Sequence, residues 1–199
     1  MFVNSTLIYF AFPKCASEWM RYQLGLEWND LHDIHDWSKC DLHYCHVQPQ
    51  RFIRECGVRD DATLITIVRN TYDRLASAYA YGSAKSLAYA TGTFREFIER
   101  IHAHRHDLAS LPMAWMYLPV NEFFGDLTER IKFFQMDNLG ELAHFLQGQG
   151  VRPQIDTGYK INQTPRDNHG CVYDEDMVRM VQEVYAYELQ TFGYGYGCG

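Results

Sequence analysis

Two groups of residues in this 199-residue chain have the types and spacing to hold an anion. The first is Pro13-Lys14-Cys15-Ala16-Ser17-Glu18-Trp19, a lysine in a short turn followed by residues that open a helical pattern. The first N–H groups of a helix lack carbonyl partners and sit at the positive end of its dipole, so this turn with the Lys14 ammonium suits a phosphate. The second is Arg69 with Ser77. A guanidinium at a strand end and a hydroxyl about two helical turns later can share one phosphate if the helix packs back beside the strand. The alternatives are a surface lysine in an ordinary turn and an arginine capping a carboxylate. A third cluster, Cys40, His43, Cys45 and His46, is spaced too tightly for the usual paired zinc knuckles, and no metal is expected.

The elements that must position these groups are legible from pattern. Leu7 to Phe12 is an unbroken apolar run, as in a strand covered on both faces, and Pro13 ends it. A helix then begins near Ala16, with Trp19, Met20 and Leu24 on its apolar face. Residues 27–45, crowded with Asp, His and Trp, read as an irregular connection that is either a binding rim or a solvated loop. A short helix over Arg51–Gly57 and a turn precede a second buried strand, Leu64–Val68. Asn70 or Thr71 can cap the helix that comes next, which continues to about Tyr89.

Phe94, Phe97, Ile98 and Ile101 mark the next helix, and His102, His104, Arg105 and His106 at its end read as solvated surface. A short helix is expected within Leu111–Phe124, a third strand at Ile131–Met136, and a helix from Asp137 through Leu146. Met177, Val181, Val184, Tyr185 and Leu189 form the last helix, with Asp174, Glu175 and Asp176 at its favourable end. The glycine-rich tail after Tyr194 is expected to fray. Three buried strands separated by helices require crossover connections, hence a parallel sheet in one α/β domain spanning 1–199, with ligands at the strands' carboxyl ends.

Composition narrows the function. A net charge of −7 leaves no general basic face for nucleic acid. The chain opens without a signal-peptide pattern and has no apolar run of membrane-spanning length, so a soluble cytoplasmic protein with reduced cysteines and no membrane partner is expected.

The two anion motifs also resemble those of sulfotransferases that use 3′-phosphoadenosine 5′-phosphosulfate (PAPS). Pro13 to Trp19 is similar to their P-K-x-G-S-T-W loop, and Arg69-Asn70-Thr71-Tyr72-Asp73-Arg74 to R-[ND]-P-Y-D-R with Ser eight residues after the Arg. Thr71 stands in the place of Pro, Ala16 of the loop Gly, and Glu18 of a Thr. Ala16 fits if its φ stays negative. Asp137 and the helix after it resemble a further segment, Lys160 to Arg166 the loop that closes over the donor, and Tyr185 to Tyr194 the ending Y-x-x-D-x-x-x-F-G-Y with Glu188 for Asp.

The resemblance implies a P-loop-like three-layer fold, a central parallel sheet flanked by helices, holding PAPS as co-substrate without a metal. The donor residues it implies are Lys14, Cys15, Ala16, Ser17, Glu18, Trp19, Arg69, Ser77 and Arg166, with Lys160 an alternative to Arg166. In the carbohydrate, heparan 2-O type branch a His-Val pair after the first helix supplies the base, which places His46 in that role and leaves His43 or Glu18 as second candidates. A histidine satisfied by a backbone carbonyl remains the other reading of His46. The acceptor implied is a hydroxyl on a sugar or other small molecule. A non-catalytic nucleotide- or glycan-binding relative stays open because of Glu18, as does a P-loop phosphotransferase, although no Gly-Lys-Ser/Thr ending is present.

Overall fold

The computed structural model describes residues 2–4 (backbone only), 6–17, 20, 49, 52–53, 59–151 and 172–197. Its strands are β1 (Phe2–Asn4), β2 (Leu7–Phe10), β3 (Thr63–Val68) and β4 (Ile131–Gln135). Its helices are α1 (Thr71–Ala84), α2 (Phe94–Ala103), α3 (Val120–Phe124), α4 (Leu139–Gly148), α5 (Glu175–Val184) and α6 (Ala186–Phe192), with short 3-10 turns between them. The chain divides into two compact units, one of Met1–Val68 with Phe124–Asn162 and the other of Arg69–Phe123 with Gln163–Gly199.

The first unit holds a four-stranded sheet in the order β1-β2-β3-β4. β2 runs parallel to β3, with Phe10 opposite Thr66, and β3 parallel to β4, with Val68 opposite Gln135. This is the expected α/β class, because parallel neighbours need crossovers, and helices occupy the one from β3 to β4. All four β2 residues are buried, as are Leu64 to Val68 of β3, which explains why both read as continuous apolar runs. The one polar residue in that run, Thr66, donates its hydroxyl to the Phe10 carbonyl at 2.8 Å, so no polar group is stranded. β4 departs from expectation. It is an edge strand in which only Ile131 and Phe134 are buried, and α4 covers it through Leu142, Leu146 and the Phe134–Phe145 ring pair at 5.2 Å. β1, antiparallel to β2, was not legible in the short run Phe2–Asn4.

In the second unit α1 ends at Ala84 rather than near Tyr89, and Tyr89 and Ala90 turn back onto it. Tyr89 donates its hydroxyl to the Ala78 carbonyl at 2.9 Å, which seats the ring against the helix. Thr93 and Glu96 form a capping box that starts α2. Asp174 caps α5 by accepting from the Met177 N–H at 3.0 Å, and it also pairs with Arg95 of α2. His102, expected as plain surface, contacts Glu183 of α5 at 2.6 Å, whereas His104, Arg105 and His106 are exposed as expected.

The last helix is two helices, broken at Tyr185, whose hydroxyl donates to the Tyr117 carbonyl at 2.6 Å. The tail does not fray through Gly197: Gly193 adopts a positive φ of 69°, the Tyr194 N–H returns to the Leu189 carbonyl, and Tyr196 packs on Tyr72 and Tyr173. Glycine at the left-handed position lets the chain reverse, and aromatic packing holds the residues after it in place.

Gly82 is where α1 admits its neighbour. A Cβ there would stand 2.5 Å from the Ala90 Cβ and 2.6 Å from the Tyr89 ring. Gly82→Ala should destabilise the protein by about 1–3 kcal/mol through overpacking, despite alanine's better helix propensity. Urea unfolding checks this, and an unchanged or raised midpoint would contradict the packing account.

Candidate anion-binding site

The turn after β2 is built from residues 11–17. The strand stops at Phe10, two residues short of the expected Phe12; Ala11 and Phe12 continue buried past it, and the Cys15 N–H bonds back to the Phe12 carbonyl at 3.3 Å. Ser17 is the first helical residue, and the Met20 N–H reaches the Ala16 carbonyl at 2.9 Å, closing the first turn. The turn thus has the strand-to-helix form that directs helix N–H groups toward an anion.

Its backbone is unusual. Lys14 has φ 61° and Ala16 φ 58°, both left-handed, on either side of Cys15. Alternation of backbone hand gathers successive N–H groups into a concave anion cradle. The condition under which Ala16 would fit in place of glycine, a negative φ, is therefore not met: it holds the left-handed conformation for which glycine is suited. Lys14 is half-buried and Cys15 fully buried. Beneath them Tyr9 is fully buried, and burial, with a smaller contribution from Cys15, pushes its hydroxyl well above the ordinary tyrosine value. Tyr9 therefore stays protonated at neutral pH.

Arg69 directly follows β3. Asn70 is the N-cap of α1, its side-chain oxygen accepting from the Tyr72 N–H at 3.0 Å while its amide nitrogen donates to the Gly195 carbonyl at 3.1 Å. The cap is thus Asn70 and not Thr71. The Arg69 guanidinium, just before the helix, lies 3.6 Å from the Asp73 carboxylate, and within α1 Asp73 and Ser77, four residues apart, share one face. With its side chain 24% exposed, Arg69 makes a long, partly solvated pair worth only about 0.2–0.5 kcal/mol, so exchanging Asp73 for an anion is inexpensive. Ser77 is half-buried.

The six residues after Asn70 also contain what sequence reasoning missed. Arg74 is fully buried, and its Nη2 lies 3.0 Å from Glu188 Oε1. Thr71 donates its hydroxyl to the same oxygen at 2.7 Å, and the Val120 N–H donates to Oε2 at 2.9 Å. Arg74 also stacks over the Tyr185 ring at 5.6 Å. The second arginine of the motif is thus structural, while Arg69 stays partly exposed beside Asp73. A signal was present in the sequence: Thr71 and Glu188, two departures from the resembled pattern, touch each other.

The structure therefore brings Lys14, Cys15, Ala16 and Ser17 into one turn of the first unit, and in the second pairs Arg69 with Asp73, which shares a face of α1 with Ser77. Glu18, Trp19, His43, His46, Lys160 and Arg166 lie outside the described residues, as do Cys40 and Cys45. Among the described residues no group of three or more His, Cys, Asp or Glu could hold a metal ion, and no helix is long and apolar enough to cross a membrane.

No family model matches the sequence. No curated protein matches it either. One solved structure similar to this chain is a sulfotransferase from Alicyclobacillus acidocaldarius. It is 17% identical, with a TM-score of 0.41, over 73% of this chain and 59% of the other, so the chain matches well under two thirds of that protein's length.

This geometry sets two stability outcomes. Ala16→Gly should stabilise the protein by up to about 1 kcal/mol, since glycine carries no Cβ penalty at positive φ; a lower urea midpoint would contradict the turn described. Glu188→Ala should cost roughly 3–5 kcal/mol, because Arg74 would keep its charge in the core without a counter-ion. A loss below about 1 kcal/mol in chemical denaturation would mean that Arg74 is solvated instead.

Proposed function

We propose that this protein is a PAPS-dependent sulfotransferase that moves a sulfuryl group to a hydroxyl acceptor, with a carbohydrate as the acceptor class. One observation supports it above others: β2 and β3 are parallel neighbours whose carboxyl ends open on the same edge of the sheet, and the two anion motifs are the segments that directly follow them. In parallel α/β sheets that edge is where ligands bind. A donor with phosphates at two positions would engage both motifs.

In this reading Lys14 and the turn over Cys15, Ala16 and Ser17, together with Glu18 and Trp19, hold the 5′-phosphosulfate, with the cradle accepting the charge that grows on the bridging oxygen. Arg69 and Ser77 hold the 3′-phosphate, and Arg166 adds a contact. His46 takes the proton from the acceptor hydroxyl as its oxygen forms a bond to sulfur. The bond from sulfur to the 5′-phosphate oxygen breaks in line with it, and 3′-phosphoadenosine 5′-phosphate (PAP) leaves with the electron pair. Positioning and charge stabilisation do most of the work in such a transfer.

Glu18 supports a second reading, a non-catalytic nucleotide- or glycan-binding relative, since a carboxylate at the phosphate turn repels the anion unless it faces elsewhere.

Calorimetric titration with PAP and magnesium-free transfer of labelled sulfate from PAPS to a glycan panel separate these readings. The enzyme should do both, whereas binding without transfer supports the relative and neither overturns the nucleotide assignment. Arg69→Ala should abolish turnover through lost PAP affinity. Lys14→Ala should lower kcat by about 10²–10³. His46→Ala should bind PAP normally with kcat down about 10²–10⁴, and a normal rate would remove His46 from the mechanism.

A further inference from the structure

Resting on the donor site just proposed, we infer that Thr71 and Glu188 are positioning residues: their hydrogen bond does for Arg69 what a rigid proline at the first position of α1 would do. Proline there has its φ preset for the helix and gives up an N–H that the first turn leaves unpaired in any case. Thr71 presets nothing through its backbone. Its hydroxyl instead reaches Glu188 Oε1 at 2.7 Å in a buried site.

Glu188 cannot yield to that bond by moving. The oxygen that receives Thr71 also receives Arg74 at 3.0 Å, and the other oxygen is held by the Val120 N–H at 2.9 Å. The carboxylate is therefore a fixed point, with its long side chain spanning from α6 to the start of α1. Two residues before Thr71, Arg69 leaves the end of β3, and between them Asn70 is tied through its side chain to Tyr72 and Gly195. The short segment that aims the Arg69 guanidinium is thus anchored at Asn70 and Thr71, and neither anchor occupies Asp73 or Ser77.

The backbone already accepts the alternative device. Asn70 has ψ 124°, within the range a residue before proline favours, although its φ of −45° lies outside the extended region, and Thr71 is the first residue of the helix, where proline is tolerated. Proline would fit at 71 without redirecting the chain. Bulk and β-branching at 71 are therefore not the requirement, and a hydroxyl or a fixed φ each suffices.

The test measures, by calorimetry on the full chain, the ratio of affinities for PAP and for AMP, which lacks the 3′-phosphate. A fall in the folded fraction weakens both ligands alike, so the ratio reports the aim of Arg69 and not stability. Thr71→Val, which removes the hydroxyl at constant shape, should lower the ratio by about tenfold, the scale of one misaligned charge-assisted hydrogen bond. Thr71→Ser and Thr71→Pro should both keep the ratio within about twofold of wild type. Thr71→Ala makes the same deletion if the valine variant does not fold.

An unchanged ratio in the deletion variants, or a proline variant as defective as they are, overturns the positioning role and leaves the donor site standing. A wild type that binds PAP no better than AMP overturns the assignment of Arg69 and Ser77 themselves, and this inference with it.

Discussion

One carboxylate in the core of the second unit sets the terms for what surrounds it. A buried arginine is tolerable only beside a counter-charge, and a buried carboxylate only when its oxygens are occupied. Arg74 and Glu188 meet both conditions together, with Thr71 and the Val120 N–H filling the remaining acceptor sites. Because the partners come from three segments, the requirement ties the start of α1, the start of α3 and the first turn of α6 to one another. The aromatic layer of Tyr72, Tyr173 and Tyr196 then closes over the same helix start and holds the C-terminal segment down.

The first unit solves a different problem. Its sheet is held by burial, with β2 and β3 apolar on both faces, so the chain must leave each strand abruptly at an edge where polar backbone can meet solvent or a ligand. At Lys14 and Ala16 it does so with two left-handed residues that are not glycine. Such backbone persists only when its surroundings over-determine it. Here the buried Phe12 and Cys15 hold the turn from beneath, and the helix starting at Ser17 holds it from beyond. Strain of this kind tends to accompany sites where function needs the N–H groups to point one way, which agrees with reading this turn as an anion cradle.

Much of this was legible from residue order. Continuous apolar runs marked β2, β3 and the start of β4; the 3.6-residue stripe marked α2; and the acidic cluster at Asp174 to Asp176 marked the start of α5. These signals are local, since a strand's two faces and a helix's one face are written in consecutive residues. Errors fell where a local pattern was overridden by distant contacts. The Gly-rich tail looked free until Tyr196 found Tyr72, and the last helix looked continuous until the Tyr185 hydroxyl was drawn to Tyr117.

Residue order by itself determined where β2, β3, β4 and the main helices fall, that these three strands run parallel, and that a lysine turn and an arginine helix start come directly after two of them. Periodicity and crossover geometry need only neighbours along the chain. Tertiary structure alone decided that Arg74 turns inward while Arg69 stays partly exposed, that Ala16 takes the left-handed conformation, and that Glu188 is the residue to which Thr71 answers. Those outcomes depend on charges and carbonyls that lie more than a hundred positions apart in the case of Thr71 and Glu188, and their pairing energy exists only once the chain has folded.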